Sequence, residues 1–174
     1  DCRLNQLISA KFTVTRTRDP ITVLPIEKVQ ELVGYRFPPG SYKIEHWENY
    51  LLTEATAGHH SSSVYAHPSF LFHAPLAAVG LNYQEIFDLC GAESADAVRA
   101  GEYDWEIFRT LEEGVEYQAQ GQILSVDRKE GKQAGTFDAV VFAIELSDSG
   151  GIAACATNTW LFLRTEPSAE ETSS

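Results

Sequence analysis

The chain has 174 residues, 44% of them hydrophobic and 22% charged, which is the composition of one globular domain with a core of its own. Its formal net charge of −12, with no segment rich in Lys and Arg, argues against nucleic acid as a partner. No apolar run approaches the roughly 20 residues that a membrane helix requires, so we expect no membrane partner either.

The first predicted elements are short and are separated by proline and glycine. Residues 1–33 are interpreted as an N-terminal extension that packs on the domain, with a short helix over Ile26–Val33. The sequence Phe37-Pro-Pro-Gly40 predicts a turn, because proline fixes φ and glycine accepts a positive φ. A strand over Ser41–Ile44 should follow and open the main domain, which we place at residues 34–165.

Two helices are predicted next, joined by a polar loop. The spacing of the apolar side chains predicts a helix over residues 45–57 that ends at Gly58. The loop His59–Ser63 has no periodicity. A long apolar helix should begin near Ser69 and extend to Leu81, with Pro75 producing a kink or a second start.

The second half of the chain changes to a period of two after a helix over Tyr83–Cys90 and a surface excursion over residues 92–102. Alternating apolar and polar residues predict antiparallel strands over residues 115–126, 136–147 and 152–164. Arg128–Gly135 is predicted as the polar loop of the first hairpin. Residues 166–174 form an acidic, serine-rich tail to which we assign no structure.

This order of elements predicts an α+β fold in which an antiparallel sheet wraps around one long central helix. The apolar face of such a sheet needs a cover. Ser69–Leu81 is the segment apolar enough to provide it.

Four stretches in this order resemble the MaoC-like dehydratases, especially their N-terminal MaoC-like domain and the related (R)-specific enoyl-thioester hydratases. The resemblance extends over about residues 34–165. Its stretches are Ser41–Gly58, Ala66-His-Pro-Ser-Phe70, Glu106–Gly114, and Gly131–Val141 with its partner strand Ala153–Arg164.

The resemblance implies a hot-dog fold, a homodimer formed through sheet edges and helices, and an acyl thioester of coenzyme A or acyl carrier protein as the substrate. We expect no cofactor. Family members add water to such thioesters, or remove it, at the β-carbon. Their catalytic loop has a pattern like Gly-Asp-x-Asn-Pro-x-His. The corresponding loop here, Gly58-His-His-Ser-Ser-Ser-Val64, lacks the Asp and the Asn-Pro.

The candidate catalytic residues are His59, His60 and Glu54. The two histidines occupy the loop where the family places its catalytic pair, and an imidazole titrates near neutral pH. A solvated surface loop is the alternative interpretation of this His-Ser sequence. Glu54 lies near the end of the first long helix and could face the same cavity, although a solvated glutamate is the stronger interpretation there.

The candidate substrate-binding residues are His67, Ser69 and Phe70. The N-terminus of a helix presents free backbone N–H groups and a favourable dipole, so the amides of Ser69 and Phe70 could bind the thioester carbonyl. His67 could shape this turn, contact the ligand, or be a buried structural residue.

Other residues have weaker functional interpretations. Asp138 is interpreted as an outward polar position on its strand, and His73 as packed within its helix. Arg128, Lys129 and Lys132 are the visible candidates for a basic patch that would dock an acidic carrier. Aromatic residues could line an acyl tunnel, although they are more simply core: Phe70, Phe72, Tyr83, Phe87 and Trp105.

The leading functional hypothesis is therefore a lyase that adds or removes a small nucleophile at the β-carbon of an acyl or enoyl thioester. Water is the default nucleophile, and an amine is possible. A hot-dog thioesterase and a non-catalytic partner subunit of a heteromeric dehydratase are the alternatives. Because the three cysteines are dispersed and lack metal-ligand spacing, we expect a cytoplasmic protein without a metal.

Overall fold

The computed structural model describes residues 24–58, 64–132 and 134–164. Its α-helices are α1 (Ile26–Gln30), α2 (His46–Ala55), α3 (Phe70–Ala78) and α4 (Tyr83–Leu89). Its strands are β1 (Gly40–Lys43), β2 (Val98–Ile107), β3 (Glu116–Gly131), β4 (Gly135–Asp148) and β5 (Gly151–Leu163). They form one antiparallel sheet in the order β1-β3-β4-β5-β2, which confirms the predicted α+β class.

One face of the sheet forms the core together with α3. Alternate residues along β3, β4 and β5 are buried on this inner face, while their neighbours face outward and are more exposed. Helix α3 buries most of its residues, including Phe70, Leu71 and Leu76, against the sheet. Helix α1 packs on β3 through Val29, which is buried.

The three long strands confirm the period-two prediction, but the first hairpin is tighter than predicted. Strand β3 continues to Gly131 and β4 begins at Gly135, so most of the segment Arg128–Gly135 is paired rather than looped. Gly135 has a φ of 63°, which lets the chain reverse within a few residues.

The central helix is shorter than the predicted segment Ser69–Leu81. It passes through Pro75 without a second start and ends at Ala78, because Val79 has extended backbone angles. The next amide, of Gly80, donates a hydrogen bond to the Pro38 carbonyl oxygen at 2.8 Å. The chain therefore leaves the helix to contact the segment before β1.

The first half of strand β2 was not predicted from the sequence. Its first half, from Val98, lies in the segment predicted as a surface excursion, and that prediction is wrong there. Most residues of β2 are exposed on both faces. Alternation of polar and apolar residues begins only at Glu102, so the sequence before it gave no sign of a strand.

Asp138 is completely buried, so its prediction as an outward position is wrong. Its carboxylate accepts hydrogen bonds from Arg128 Nε at 2.7 Å and from Arg164 Nε at 2.8 Å. Arg164 also donates to the carbonyl oxygens of Cys90 and Gly91, at the end of α4. Arg128 is thus committed to an internal ion pair, which removes it from the predicted basic patch.

The acidic tail, 166–174, and the first 23 residues lie outside the described residues. Within the described ranges, no helix has both the length and the apolar character needed to cross a membrane.

Candidate functional site

His59 and His60, the predicted acid–base candidates, lie outside the described residues. The residues that flank their segment, Gly58 and Val64, are described. The candidate site is therefore built from α2, from residues 64–69, and from the start of α3.

One face of α2 carries a row of polar side chains toward residues 65–67. Asn49, Thr53 and Thr56 recur at intervals of four and three residues, which places them on the same side of the helix. Thr53 is buried, and its hydroxyl donates to the Asn49 carbonyl oxygen at 2.8 Å. This face contacts the segment that leads into α3, through Tyr65 and His67.

Asn49 joins three parts of the chain. Its Oδ1 accepts a hydrogen bond from the His67 amide at 2.8 Å, and its Nδ2 donates to the Tyr65 carbonyl oxygen at 3.1 Å. Nδ2 also lies 3.0 Å from Glu113 Oε2. The single amide group thus holds residues 65–67 and Glu113 against α2.

Both flanks of the histidine-bearing loop are anchored by backbone hydrogen bonds as well. The Gly58 amide donates to the Thr53 carbonyl oxygen at 2.8 Å. On the other side, the Glu113 amide donates to the Val64 carbonyl oxygen, also at 2.8 Å. Gly58 and Val64 are thereby each held at a fixed point.

The His67 ring bridges α2 and α3. The Ser69 amide donates to Nδ1 at 3.3 Å, and Nε2 lies 3.2 Å from Thr56 Oγ1. Because Nδ1 accepts a hydrogen bond, a neutral ring carries its proton on Nε2, which then donates to the threonine oxygen. Of the roles predicted for His67, this geometry matches the shaping of the turn.

The backbone amides at the start of α3 are already paired, contrary to the prediction of free donors. The Ser69 amide bonds the His67 ring, and the Phe70 amide donates to the His67 carbonyl oxygen at 3.0 Å. The bond to Ser69 is the longer of the two and exceeds the usual range for N–H donors. It is therefore the easier one for a ligand to replace.

Glu54 is exposed. It lies about 100° around α2 from Thr53, so the helix turns it away from the row formed by Asn49, Thr53 and Thr56. The carboxylate within the network is instead that of Glu113. Hydrogen bonds from Asn49 and His46 lower the pKa of Glu113 below its usual value.

The aromatic residues predicted for an acyl tunnel lie in three separate places: around Trp160, beside β2, and in the core. Tyr83 stacks on Trp160 with ring centroids 5.9 Å apart, and Phe87 meets the same indole at 5.6 Å. Phe72 instead contacts Tyr103 on β2, next to the partly exposed Trp105, and Phe70 is buried in the core. Within one chain these side chains do not line a single tunnel.

A cavity of about 700 Å³ lies elsewhere, on the outer face of the sheet. Outward residues of β3 and β4 line it together with the segment before β1, including Arg36, Gln120 and Glu145. None of the predicted site residues that the structure describes lines it.

Sequence reasoning missed Asn49, Thr56 and Glu113, and it placed His73 only by general expectation. A pattern was available for Asn49, since a polar residue on the inward side of an amphipathic helix needs partners. Thr56 is exposed and gave no such signal. Glu113 offered no such signal, because its partners are far away in sequence. His73 is exposed and meets the Tyr42 ring edge-on at 5.5 Å, so its prediction as packed within the helix is wrong.

No protein-family model and no curated protein sequence matches the chain. Solved structures do match it. One described as a MaoC-like dehydratase superposes with a TM-score of 0.62 at 16% identity, over 79% of this chain and 44% of its own.

Two complexes from Mycobacterium tuberculosis are also similar. The C-terminally truncated HadBC complex, a 3R-hydroxyacyl-ACP dehydratase, gives a TM-score of 0.58 at 15% identity, over 75% of this chain and 96% of its own. The ChsH1-ChsH2 complex gives 0.59 at 14% identity, over 83% and 92%. At this identity the similarity establishes the fold, and the chain has the hot-dog fold of the MaoC-like dehydratases that its sequence resembles.

Proposed function

We propose that the protein is a hydratase or dehydratase that acts at the β-carbon of an acyl or enoyl thioester, with water as the nucleophile. The observation that carries this proposal is the double anchoring of the loop between Gly58 and Val64. The described residues on either side of the two histidines, Gly58 and Val64, are bonded to Thr53 of α2 and to Glu113, which supports acid–base chemistry at this end of α2.

The reaction requires a base and an acid near one carbon–carbon bond. In the hydration direction a base takes a proton from water, whose oxygen bonds the β-carbon, and an acid delivers a proton to the α-carbon. His59 and His60 are the proposed acid–base groups because both are imidazoles in a segment with anchored flanks. Glu54 is a weaker candidate, since it is exposed and lies off the polar face of α2.

The negative charge that develops on the thioester oxygen needs a donor, and we assign the Ser69 amide to it. The ligand oxygen would replace the His67 ring, whose bond to this amide is 3.3 Å long. The Phe70 amide keeps its hydrogen bond to the His67 carbonyl oxygen, and the buried Phe70 side chain anchors the first turn of α3 in the core. Removing such a donor typically lowers turnover about 100-fold to 1000-fold.

The test is a double variant, His59→Ala/His60→Ala, assayed for hydration of a short 2-enoyl thioester. We expect turnover to fall about 100-fold or more, because general acid–base catalysis is worth at least that factor. The melting temperature should stay unchanged. Variant His73→Ala is the matched control, since it removes an exposed histidine of α3 and should retain activity.

Full activity in the double variant would contradict the assignment of this loop. Glu54 and His67 would then be the pair to replace next.

A further inference from the structure

One side-chain amide, that of Asn49, hydrogen-bonds three separate groups beside the candidate site. Its Oδ1 accepts from the His67 amide at 2.8 Å, and its Nδ2 donates to the Tyr65 carbonyl oxygen at 3.1 Å and to Glu113 Oε2 at 3.0 Å. These partners fix the orientation of the amide, because a backbone N–H only donates and a carboxylate only accepts. Among side chains of this length, only a carboxamide accepts on one side and donates twice on the other.

The helix that carries Asn49 is held in place by other contacts. The Glu45 amide donates to the Glu48 carboxylate at 3.1 Å in the first turn of α2. Ile44, just before the helix, is completely buried, and its carbonyl oxygen accepts a hydrogen bond from the Gly114 amide at 2.7 Å. Asn49 therefore projects from a helix whose start is fixed against the segment that leads into β3.

The segment that Asn49 holds leads to the proposed donor for the thioester oxygen. The Ala66 amide donates to the Leu111 carbonyl oxygen at 2.8 Å, which keeps this segment beside the residues before β3. The next residue, His67, bonds Asn49 through its own amide and bonds the Ser69 amide through its ring. The position of Ser69 relative to α2 therefore depends on the bond between Asn49 and His67.

The third partner of Asn49 is a charged group. Glu113 is half-buried, and hydrogen bonds from Asn49 and His46 lower the pKa of its carboxyl group below the usual value. Its carboxylate is therefore ionised at neutral pH. The Nδ2 donor of Asn49 meets this charge directly. A second carboxylate at position 49 would repel Glu113 instead of binding it.

We propose that Asn49 is a positioning residue of the proposed active site, which sets the place of the Ser69 amide by holding Glu113 and His67 with one carboxamide. The inference rests on the proposed function, in which that Ser69 amide binds the thioester oxygen. Asn49 does not act on the substrate, because both polar atoms of its side chain bond protein groups. It acts through His67.

A change at Asn49 would be transmitted to Ser69 by a short path. When the carboxamide is lost, the turn between His67 and Ser69 loses one of its bonds to α2. The proposed donor then lies in a different place when negative charge develops on the thioester oxygen, and a displacement of about 1 Å can lower turnover about 100-fold. Loss of an interaction that is made only in the transition state lowers kcat without raising KM.

The test exchanges the amide and the carboxylate. Asn49→Asp keeps an acceptor for the His67 amide but places a second carboxylate against Glu113. We expect kcat for hydration of a short 2-enoyl thioester to fall about 10-fold to 100-fold, with KM changed by less than about threefold. The double variant Asn49→Asp/Glu113→Gln restores a donor between the two positions and should recover kcat to within about fivefold of wild type.

The matched control is Asn82→Asp, the same substitution at the N-cap of α4, where either residue caps a helix equally well. It should change neither kcat nor KM. A loss in Asn49→Asp that appears only in the melting temperature, or that Glu113→Gln does not recover, would overturn the proposal. If Asn49→Asp does not fold, as judged by circular dichroism, Asn49→Ser replaces it. That variant should show the same fall in kcat, and an unchanged kcat would count against the positioning role.

A measurement without substrate separates this inference from the proposed function. In proton–nitrogen correlation spectra of the full chain, the Ser69 amide resonance should shift in Asn49→Asp and return toward its wild-type position in the double variant. Absence of turnover in the wild type would contradict the proposed function, and these spectra would still test the positioning role. An unmoved Ser69 resonance in Asn49→Asp would overturn that role, even in an active enzyme.

Discussion

At the scale of single residues, the most informative side chains are polar ones with partners distant in sequence. Asn49 reaches three parts of the chain, and Asp138 binds two arginines that come from β3 and from the end of β5. A sequence pattern can indicate that a polar residue alternates with apolar ones, but not which distant partner makes its burial possible. This is why Asp138 was predicted to face outward.

The burial of the Asp138 carboxylate leads to a prediction about how the free energy of unfolding depends on pH. Burial raises its pKa, but hydrogen bonds from Arg128 and Arg164 outweigh this and hold the pKa below its ordinary value. Its stabilising contribution is therefore present above about pH 4, the ordinary pKa of Asp, and is lost as the pH falls through the lower folded-state pKa. Asp138→Asn should lower the free energy of unfolding at pH 7 by about 3–5 kcal/mol, because the arginines lose their counter-ion.

Urea unfolding of wild type and variant between pH 7 and pH 3 measures this effect. The difference between them should shrink toward the acidic end. The control Asp127→Asn, at an exposed position of β3, should change stability by less than about 0.5 kcal/mol. Equal effects at the two positions would contradict the role of the buried ion pairs.

At the scale of elements, the sequence predicted the strands whose burial on one face imposes an alternation of apolar and polar residues. β3, β4 and β5 each bury one face, so their alternation was visible. Both ends of β4 and β5 and the start of β3 were predicted within one residue, whereas β3 ends five residues later than predicted. β2 buries little of either face, so its beginning was missed. The end of α3 was also missed, because its last turn is set by contacts with Pro38 and Gly40 rather than by its own residues.

The close packing between α3 and β1 can be tested at Gly40. A Cβ at this position would clash with the Ala78 carbonyl oxygen and lie 3.2 Å from the Gly80 nitrogen, both at the end of α3. Gly40→Ala should therefore lower the free energy of unfolding by about 1–3 kcal/mol, as overpacking does. Ser41→Ala, at the next and exposed position, should cost far less in the same thermal or urea unfolding measurement. Equal losses would show that α3 does not constrain β1.

At the scale of the whole molecule, the sequence resemblance correctly predicted the fold, and the solved structures agree with it. The site was predicted less completely. Ser69 and Phe70 lie at the start of the buried helix as expected, but their amides are already paired, and the polar network around Asn49 was not foreseen. A fold follows from burial patterns along the chain, whereas a site depends on side chains that meet only after folding.

The central claim is that this hot-dog domain moves water at the β-carbon of a thioester. The most direct measurement is mass spectrometry after the protein is incubated with 2-enoyl and 3-hydroxyacyl thioesters of coenzyme A and acyl carrier protein. We predict that an enoyl thioester gains one water, or that a 3-hydroxyacyl thioester loses one, while the carrier stays attached. Release of the carrier would instead identify a thioesterase, and unchanged masses across the panel would contradict the claim that the chain is a catalyst.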